Sequence, residues 1–225
     1  MNNILSSPLF GIVLCVAAFA LGVAINQKVK SPIANPLLIA IAFVIIILKI
    51  FNISLKNFDV GGDIITMLLA PATVVLALSI YKQKEILKKH FFPILIGCLA
   101  GSLTSMISAF LLCKAFQLDH KLTASMIPKS VTTPIAMEIS RQGGGIVPVT
   151  VAAVIITGIL GAILSPLLIK LFRVNNPVAA GVAIGACSHA VGTSKAIELG
   201  EIEGAMSGLS LCISGIITVI LSLFI

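Results

Sequence analysis

Apolar residues run along this chain in long blocks separated by short polar stretches. Blocks cover about Ile4–Ile25, Ile33–Phe51, Ile64–Tyr81, Phe91–Cys113, Ile146–Phe172 and Ala205–Ile225. A helix needs about 20 apolar residues to cross a bilayer, so the pattern predicts six full spans. Pro8 and Pro36 fall in the first turns of their helices, where a missing N–H does little harm. Pro71 falls inside the third span and predicts a kink. The polar residues Lys56 to Asp63, with Gly61 and Gly62, predict a loop, and the charged run Tyr81–His90 predicts a cytoplasmic loop. Gly97 and Gly101 form a GxxxG in the fourth span, a spacing that permits close helix approach and leaves room for a homodimer.

Two stretches break this pattern. Ile127–Gly145 and Cys187–Gly204 occupy places where spans are expected, yet both are polar. At an offset of 60 residues Lys129 lies over His189, Val131 over Val191, Thr133 over Thr193, Glu138 over Glu198 and Gly144 over Gly204. The repeat divides a single integral membrane domain, residues 1–225, into N-terminal helices (1–117), a first unit (118–172) and a second unit (177–225). Charge bias sharpens the topology. With the Lys-rich loop at 82–89 inside, Lys170 and Arg173 also fall inside only if the first polar stretch dips into the membrane and returns. The fold expected is therefore an all-α polytopic membrane protein with six full transmembrane helices and two re-entrant, broken hairpins in an inverted repeat. The alternative is eight crossing segments, two of them broken. Broken helices meeting near the midplane are a recurring plan of secondary transporters.

The chemistry follows from the breaks. Pro128 and Pro134 bracket Lys129–Thr133, and residues before proline avoid the helical region. Irregular backbone at membrane depth must face protein or water. A half-helix starting near Pro134, capped by Thr133, would aim free N–H groups and a positive dipole end at the break, which suits a carboxylate. Lys129, Ser130, Thr132 and Thr133 are the first candidate ligand set. Gly185 and Gly192 flank the second break; Ser188, His189, Gly192, Thr193 and Ser194 form the matching set, with Thr193 and Ser194 as caps. Glu138 and Glu198 either bind a coupling proton or sodium ion or pair internally with Arg141 and Lys195 at i,i+3 spacing. His189 titrates near neutral pH, which suits proton coupling.

Composition agrees with this picture and removes other classes. The 225 residues are 58% hydrophobic and 10% charged, against about 25% charged in soluble domains. The net charge of +7 sits in short loops without interleaved aromatics, so nucleic acid is not an expected partner. Five scattered cysteines, Cys15, Cys98, Cys113, Cys187 and Cys212, form no CxxC pair, and neither a metal nor another cofactor is expected. The start, MNNILSSPLF, has no basic n-region, so the first apolar block reads as a retained span. No GxSxG, HExxH or Walker loop is present, and an enzyme is not expected.

The motifs PKSVTTPIAMEIS at 128–140, the glycines 143–145, and AIGACSHAVGTSKAIELGEIEGAMSGL at 183–209 resemble the LrgB/CidB family of bacterial membrane proteins. The resemblance spans essentially the whole chain. It implies an antiholin-like or holin-like protein of the bacterial cytoplasmic (inner) membrane that modulates murein hydrolase activity, paired with a smaller LrgA/CidA-type membrane protein. Transporting relatives, including a plant plastid glycolate/glycerate carrier, imply small monocarboxylate anions such as pyruvate or glycolate as substrates. Membrane lipid is the remaining partner.

Overall fold

The computed structural model of the chain describes residues 7–29, 36–68 and 84–224, with Pro71, Val74 and Tyr81 between them. Every secondary-structure element among the described residues is helical. The chain divides into two compact units, Met1–Thr73 and Val74–Ile225.

In the first unit, α1 (Pro8–Val29) and α2 (Pro36–Ile50) match the first two expected spans. The polar residues 56–63, expected as a loop, are instead helical within α3 (Leu55–Met67). Ser54 caps it by accepting the Asn57 N–H at 3.4 Å. Gly61 presses on α1: a Cβ there would stand 2.7 Å from Gly11 Cα. Gly61 thus serves helix packing rather than a turn. The third expected span, 64–81 with its kink at Pro71, lies largely outside the described residues.

The second unit opens with α4 (Lys84–Ala115), so most of the charged run expected as a loop is helical. Its lysines stay solvated, but the helix is bent at His90 (φ −119°, ψ 24°), three residues before Pro93. Proline removes the N–H that would bond one turn back and crowds the carbonyl there, which is where the bend falls. Then follow α5 (His120–Met126), α6 (Thr133–Gln142), α7 (Val147–Leu171), α8 (Pro177–Leu199) and α9 (Glu201–Ser222).

Among the described residues, four helices are long and apolar enough to cross a membrane: Pro8–Val29, Lys88–Ala115, Val147–Leu171 and Glu201–Ser222. Their packing is that of a membrane interior. On α7, Ile156, Leu160, Leu164 and Leu167 form an outward stripe, each at least 40% exposed. The opposite face buries small or polar residues: Thr150, Ala153, Gly158, Ala162 and Ser165. Large apolar groups face outward because lipid is as apolar as they are, while small residues let helices close on one another.

The main core lies between α4, α8 and α9, where Ile94, Cys98, Val182, Met206, Leu209 and Ile217 cluster. The GxxxG of α4 is used here. Cβ atoms on Gly97 and Gly101 would each stand 3.1 Å from Val182 and Ala186 of the same chain, so that face is taken up within the chain and is not a homodimer surface. Cys98 donates toward the Ser210 carbonyl at 3.8 Å and Ser102 to that of Ser214 at 3.5 Å. Both pairings advance together in sequence. The first half of α8 and all of α9 therefore run in the same direction as α4.

Candidate functional site

The first polar stretch folds back on itself. Ser125, near the end of α5, accepts the Ile146 N–H at 2.7 Å on its hydroxyl, which itself donates to the Lys121 carbonyl at 2.6 Å. A Cβ on Gly143, just beyond α6, would stand 3.6 Å from the Ala124 methyl. The stretch therefore leaves the start of α7 and returns to it; a straight rod between Ala124 and Gly143 would separate them by about 28 Å at 1.5 Å per residue. Gly144, at φ 72°, makes the turn into α7 in the left-handed conformation that glycine adopts freely.

The tip of this hairpin is the irregular segment 127–132, as the two prolines predicted. Between its ends, which bond into the flanking helices, it has weak turn bonds, Lys129 N–H to Met126 O at 3.3 Å and Val131 N–H to Pro128 O at 3.4 Å. The half-helix α6 then starts at Thr133 with Thr132 as its N-cap, one residue earlier than expected. Pro134 sits in the first turn, where it has no N–H to offer the cap. The Thr132 hydroxyl bonds none of the first N–H groups. It is buried, the residue being 5% exposed, and it has no hydrogen-bond partner among the described residues. The Lys129 ammonium donates to the Ser105 hydroxyl at 3.2 Å, and no carboxylate among the described residues pairs with it. Ser130 is buried in the same tip. Ser105 lies about 15 Å inside the C-terminal end of α4, so the tip reaches well down that helix.

The second stretch folds back as well, within α8. A Cβ on Gly192 would stand 3.2 Å from Ile184 Cγ2, although eight residues of straight helix span about 12 Å. Gly181 and Ile197 both pack on the Glu203–Gly204 turn of α9, while Gly185 and Thr193 both meet Ser207. The bend is at His189, with φ 41° and ψ −144°. A non-glycine residue held there costs about 1–3 kcal/mol, so the surroundings must impose it. They do. His189 is buried and its Nε2 lies 2.8 Å from the Val154 carbonyl of α7. A carbonyl only accepts, so Nε2 carries the proton. Gly158 makes room for the ring: a Cβ there would stand 2.5 Å from His189 Cε1 and 2.9 Å from Val191 Cβ. Gly161 does the same for Ser188.

The hydroxyls expected as caps of the second half-helix have another role. It begins at Ala190, three residues before the position that the 60-residue register implied. No proline forces an unwound run here, and helix resumes directly after His189. Thr193 donates to the His189 carbonyl at 2.9 Å and pairs with Ser207 at 2.8 Å; Ser194 donates to the Ala190 carbonyl at 3.2 Å. Both are back-bonded inside the helix rather than capping it. Gly192 packs on Ser188.

The two tips meet on α7. Val131 of the first packs against the Val154 side chain, and His189 of the second bonds the Val154 carbonyl. They arrive from opposite ends of α4: Lys129 reaches Ser105 from the C-terminal end, while Val182 and Ala186 climb past Gly97 and Gly101 from the N-terminal end. Each tip is followed by the N-terminus of a half-helix. The acidic pairs are elsewhere. Glu138 accepts from Arg141 at 2.8 Å and from Gln142 at 2.9 Å, and Lys195 donates to Glu198 at 2.6 Å, each a turn or more behind its tip; both carboxylates are exposed, while Lys195 is largely covered. Val154, Gly158, Gly161 and Ser207 were not singled out by sequence reasoning. The GxxG of residues 158–161 was the available signal, hidden because glycine recurs throughout membrane chains.

These features define a multi-pass membrane protein in which two helices break and fold back to meet on one span. A family model described as the LrgB-like family matches residues 15–225, and the chain belongs to that family. It is 39% identical over 215 residues to the antiholin-like protein LrgB of Bacillus subtilis strain 168, covering 95% of this chain and 93% of that protein. It is 40% identical over 206 residues to the protein YxaC of the same strain, covering 92% and 90%. The antiholin-like protein LrgB of Bacillus cereus strain B4264 is 37% identical over 215 residues, covering 95% and 94%. No solved structure matches the chain.

Proposed function

We propose that this protein is a secondary transporter, or the substrate-binding subunit of one, for small monocarboxylate anions such as pyruvate or glycolate. The observation that carries the reading is the first tip: a half-helix N-terminus, a buried cap hydroxyl without a partner and a lysine without a carboxylate, all in one place. Helix N-termini attract anions through free N–H groups and the dipole. A half-buried cation at membrane depth without a counter-charge is unfavourable, and an anionic ligand lowers that cost. The choice of monocarboxylates follows the LrgB/CidB resemblance. Folding back of both stretches supports re-entrant hairpins entering from opposite faces in an inverted repeat, with six full crossings. In this arrangement the substrate sits between two half-helix N-termini near the bilayer midplane of a bacterial cytoplasmic membrane, and alternate loosening of the hairpins exposes it to either side.

The names of the relatives favour a second reading, an antiholin-like regulator of lysis, or a subunit that acts only with an LrgA/CidA-type partner. A lesion-forming protein has no use for two matched breaks meeting on one span. Purified protein in liposomes, with and without that partner, separates the readings. Saturable uptake of labelled pyruvate or glycolate is expected, reduced at least tenfold in Thr132→Val. Unselective dye leakage without saturation would sink the transporter.

A further inference from the structure

One end of the second unit gathers cations that neither the core nor the anion site uses. α4 has 32 residues, about 48 Å as a straight rod, against a hydrocarbon core of about 30 Å. Counting about 20 residues back from Lys114, the cation in its last turn, reaches Leu95. The bend at His90 therefore falls just outside the core, and it turns the segment Lys84–Lys89 off the axis of the span. Lys84, Glu85, Lys88 and Lys89 share one arc of that segment, and all four are exposed. Phe91 and Phe92, beside the bend, are 42% and 72% exposed. Tyr81 is exposed as well, with the Lys84 ammonium 4.9 Å above its ring.

A second group stands at the same end. α8 sets Val182 on Gly97 and Ala186 on Gly101, so its start at Pro177 is level with the Phe91–Phe92 bend of α4. α7 ends at Leu171, on the short link to that start, and Lys170, Phe172 and Arg173 are all exposed there. Four acids share this end. Glu85 pairs with Lys88 and Glu198 with Lys195, while Glu201 and Glu203 occupy the first turn of α9, where the helix dipole favours them. Lys84, Lys89, Lys170 and Arg173 pair with no carboxylate among the described residues.

We propose that these two groups, on either side of the start of α8, dock the phosphate headgroups of anionic phospholipid. Basic residues beside a span attract anionic headgroups, and each adds to the attraction within a screening length of the surface. Exposed aromatic rings prefer the boundary between headgroups and acyl chains. Here cations and rings stand at one depth on two separate helices, an arrangement that a soluble anion does not require. Charge bias during insertion needs cations in the loops, but it does not need them on a helix that bends where the bilayer core ends. Bound headgroups hold the bent end of α4 and the α7–α8 link at the membrane surface. This docking does not depend on the transporter reading.

The test uses the purified full-length protein in a neutral detergent, melted with added phosphatidylglycerol or with the same amount of phosphatidylcholine. Phosphatidylglycerol is expected to raise the melting temperature more. The difference should vanish in about 1 M sodium chloride, where charges are screened beyond about 3 Å. The triple variant Lys84→Gln, Lys88→Gln, Lys89→Gln and the double variant Lys170→Gln, Arg173→Gln should each need at least about tenfold more phosphatidylglycerol for the same rise. Both should melt like wild type in phosphatidylcholine. Lys84→Arg, Lys88→Arg, Lys89→Arg together keep the charge and should respond like wild type. Equal rises with the two lipids, a difference that survives high salt, or an unchanged requirement in both Gln variants overturns the docking. A rise matched by glycerol phosphate alone assigns the cations to a soluble anion and overturns it too. The lipid and salt comparison on wild type decides the matter even where a variant purifies poorly.

Discussion

The two breaks reach the same place by different means. The first is six residues long, enforced by Pro128 and Pro134, and held mainly by weak turn bonds. The second is a single residue, His189, held in an unfavourable conformation by a buried hydrogen bond to Val154 and by space left at Gly158 and Gly161. At the first tip the Thr132 hydroxyl has no partner among the described residues and the Lys129 ammonium has a neutral one, Ser105; at the second, three polar side chains are tied to the protein. Thr193, Ser194 and His189 all have internal partners. On the transporter reading, the first hairpin supplies the polar groups that meet the substrate and the second is the more tightly tied of the two.

The strongest way to break this comparison is to fill the space under the second tip. Gly158→Val places methyl groups where the His189 ring and Val191 stand, and overpacking of this kind costs about 1–3 kcal/mol or more because both neighbours are fixed. Loss of monodisperse protein, or a large drop in melting temperature, is expected. A Gly158→Val protein that melts like wild type would show that the second tip is free to move.

Next in size is the effect at the first tip, where stability and function should move in opposite directions. Thr132→Val removes a buried, unpaired hydroxyl at nearly constant shape, so melting should be unchanged or raised. Substrate affinity should fall at least tenfold, equivalent to about 1.4 kcal/mol. If Thr132 merely packs, the variant will transport normally.

Thr193→Val probes the counterpart at the second hairpin. It loses a bond to the His189 carbonyl and another to Ser207, with an expected cost of about 1 kcal/mol and only a small change in uptake. Fluorescence-detected melting and initial uptake rates on one preparation give both numbers. Losses as large as those in Thr132→Val would restore the symmetric site that the sequence repeat implies.

Much of this was legible before any coordinates. Hydropathy located the four long spans α1, α4, α7 and α9, because an apolar helix satisfies its own backbone in lipid. Charge bias implied that the first polar stretch turns back, and proline chemistry located its irregular tip. What the sequence did not carry was the difference between the halves. Proline announces a break, whereas His189 is an ordinary residue in an ordinary helical string, and the contacts that bend the chain there come from Val154 and Gly158, 30 or more residues away. The 60-residue register aligned side chains correctly as letters but placed Thr193 as a cap when it stands a turn inside its helix. The glycines misled in the same way. Gly61 looked like a loop residue and Gly97 like a dimer contact, and each is spent on a helix of its own chain.

The smallest effect concerns the paired acids, whose role the sequence left open. Glu138 bonds Arg141 and Gln142 on its own helix, at 53% side-chain exposure. Exposed i,i+3 pairs contribute little because water screens them, so Glu138→Gln should cost at most a few tenths of a kcal/mol. Lys195–Glu198 has the same spacing at the opposite hairpin, but its lysine is only 26% exposed, so Glu198→Gln should cost somewhat more. If neither carboxylate carries the co-ion, the sodium and pH dependence of uptake in both variants will overlay the wild-type curves. A shifted dependence in either one assigns the coupling ion to that carboxylate and to the mouth of that hairpin.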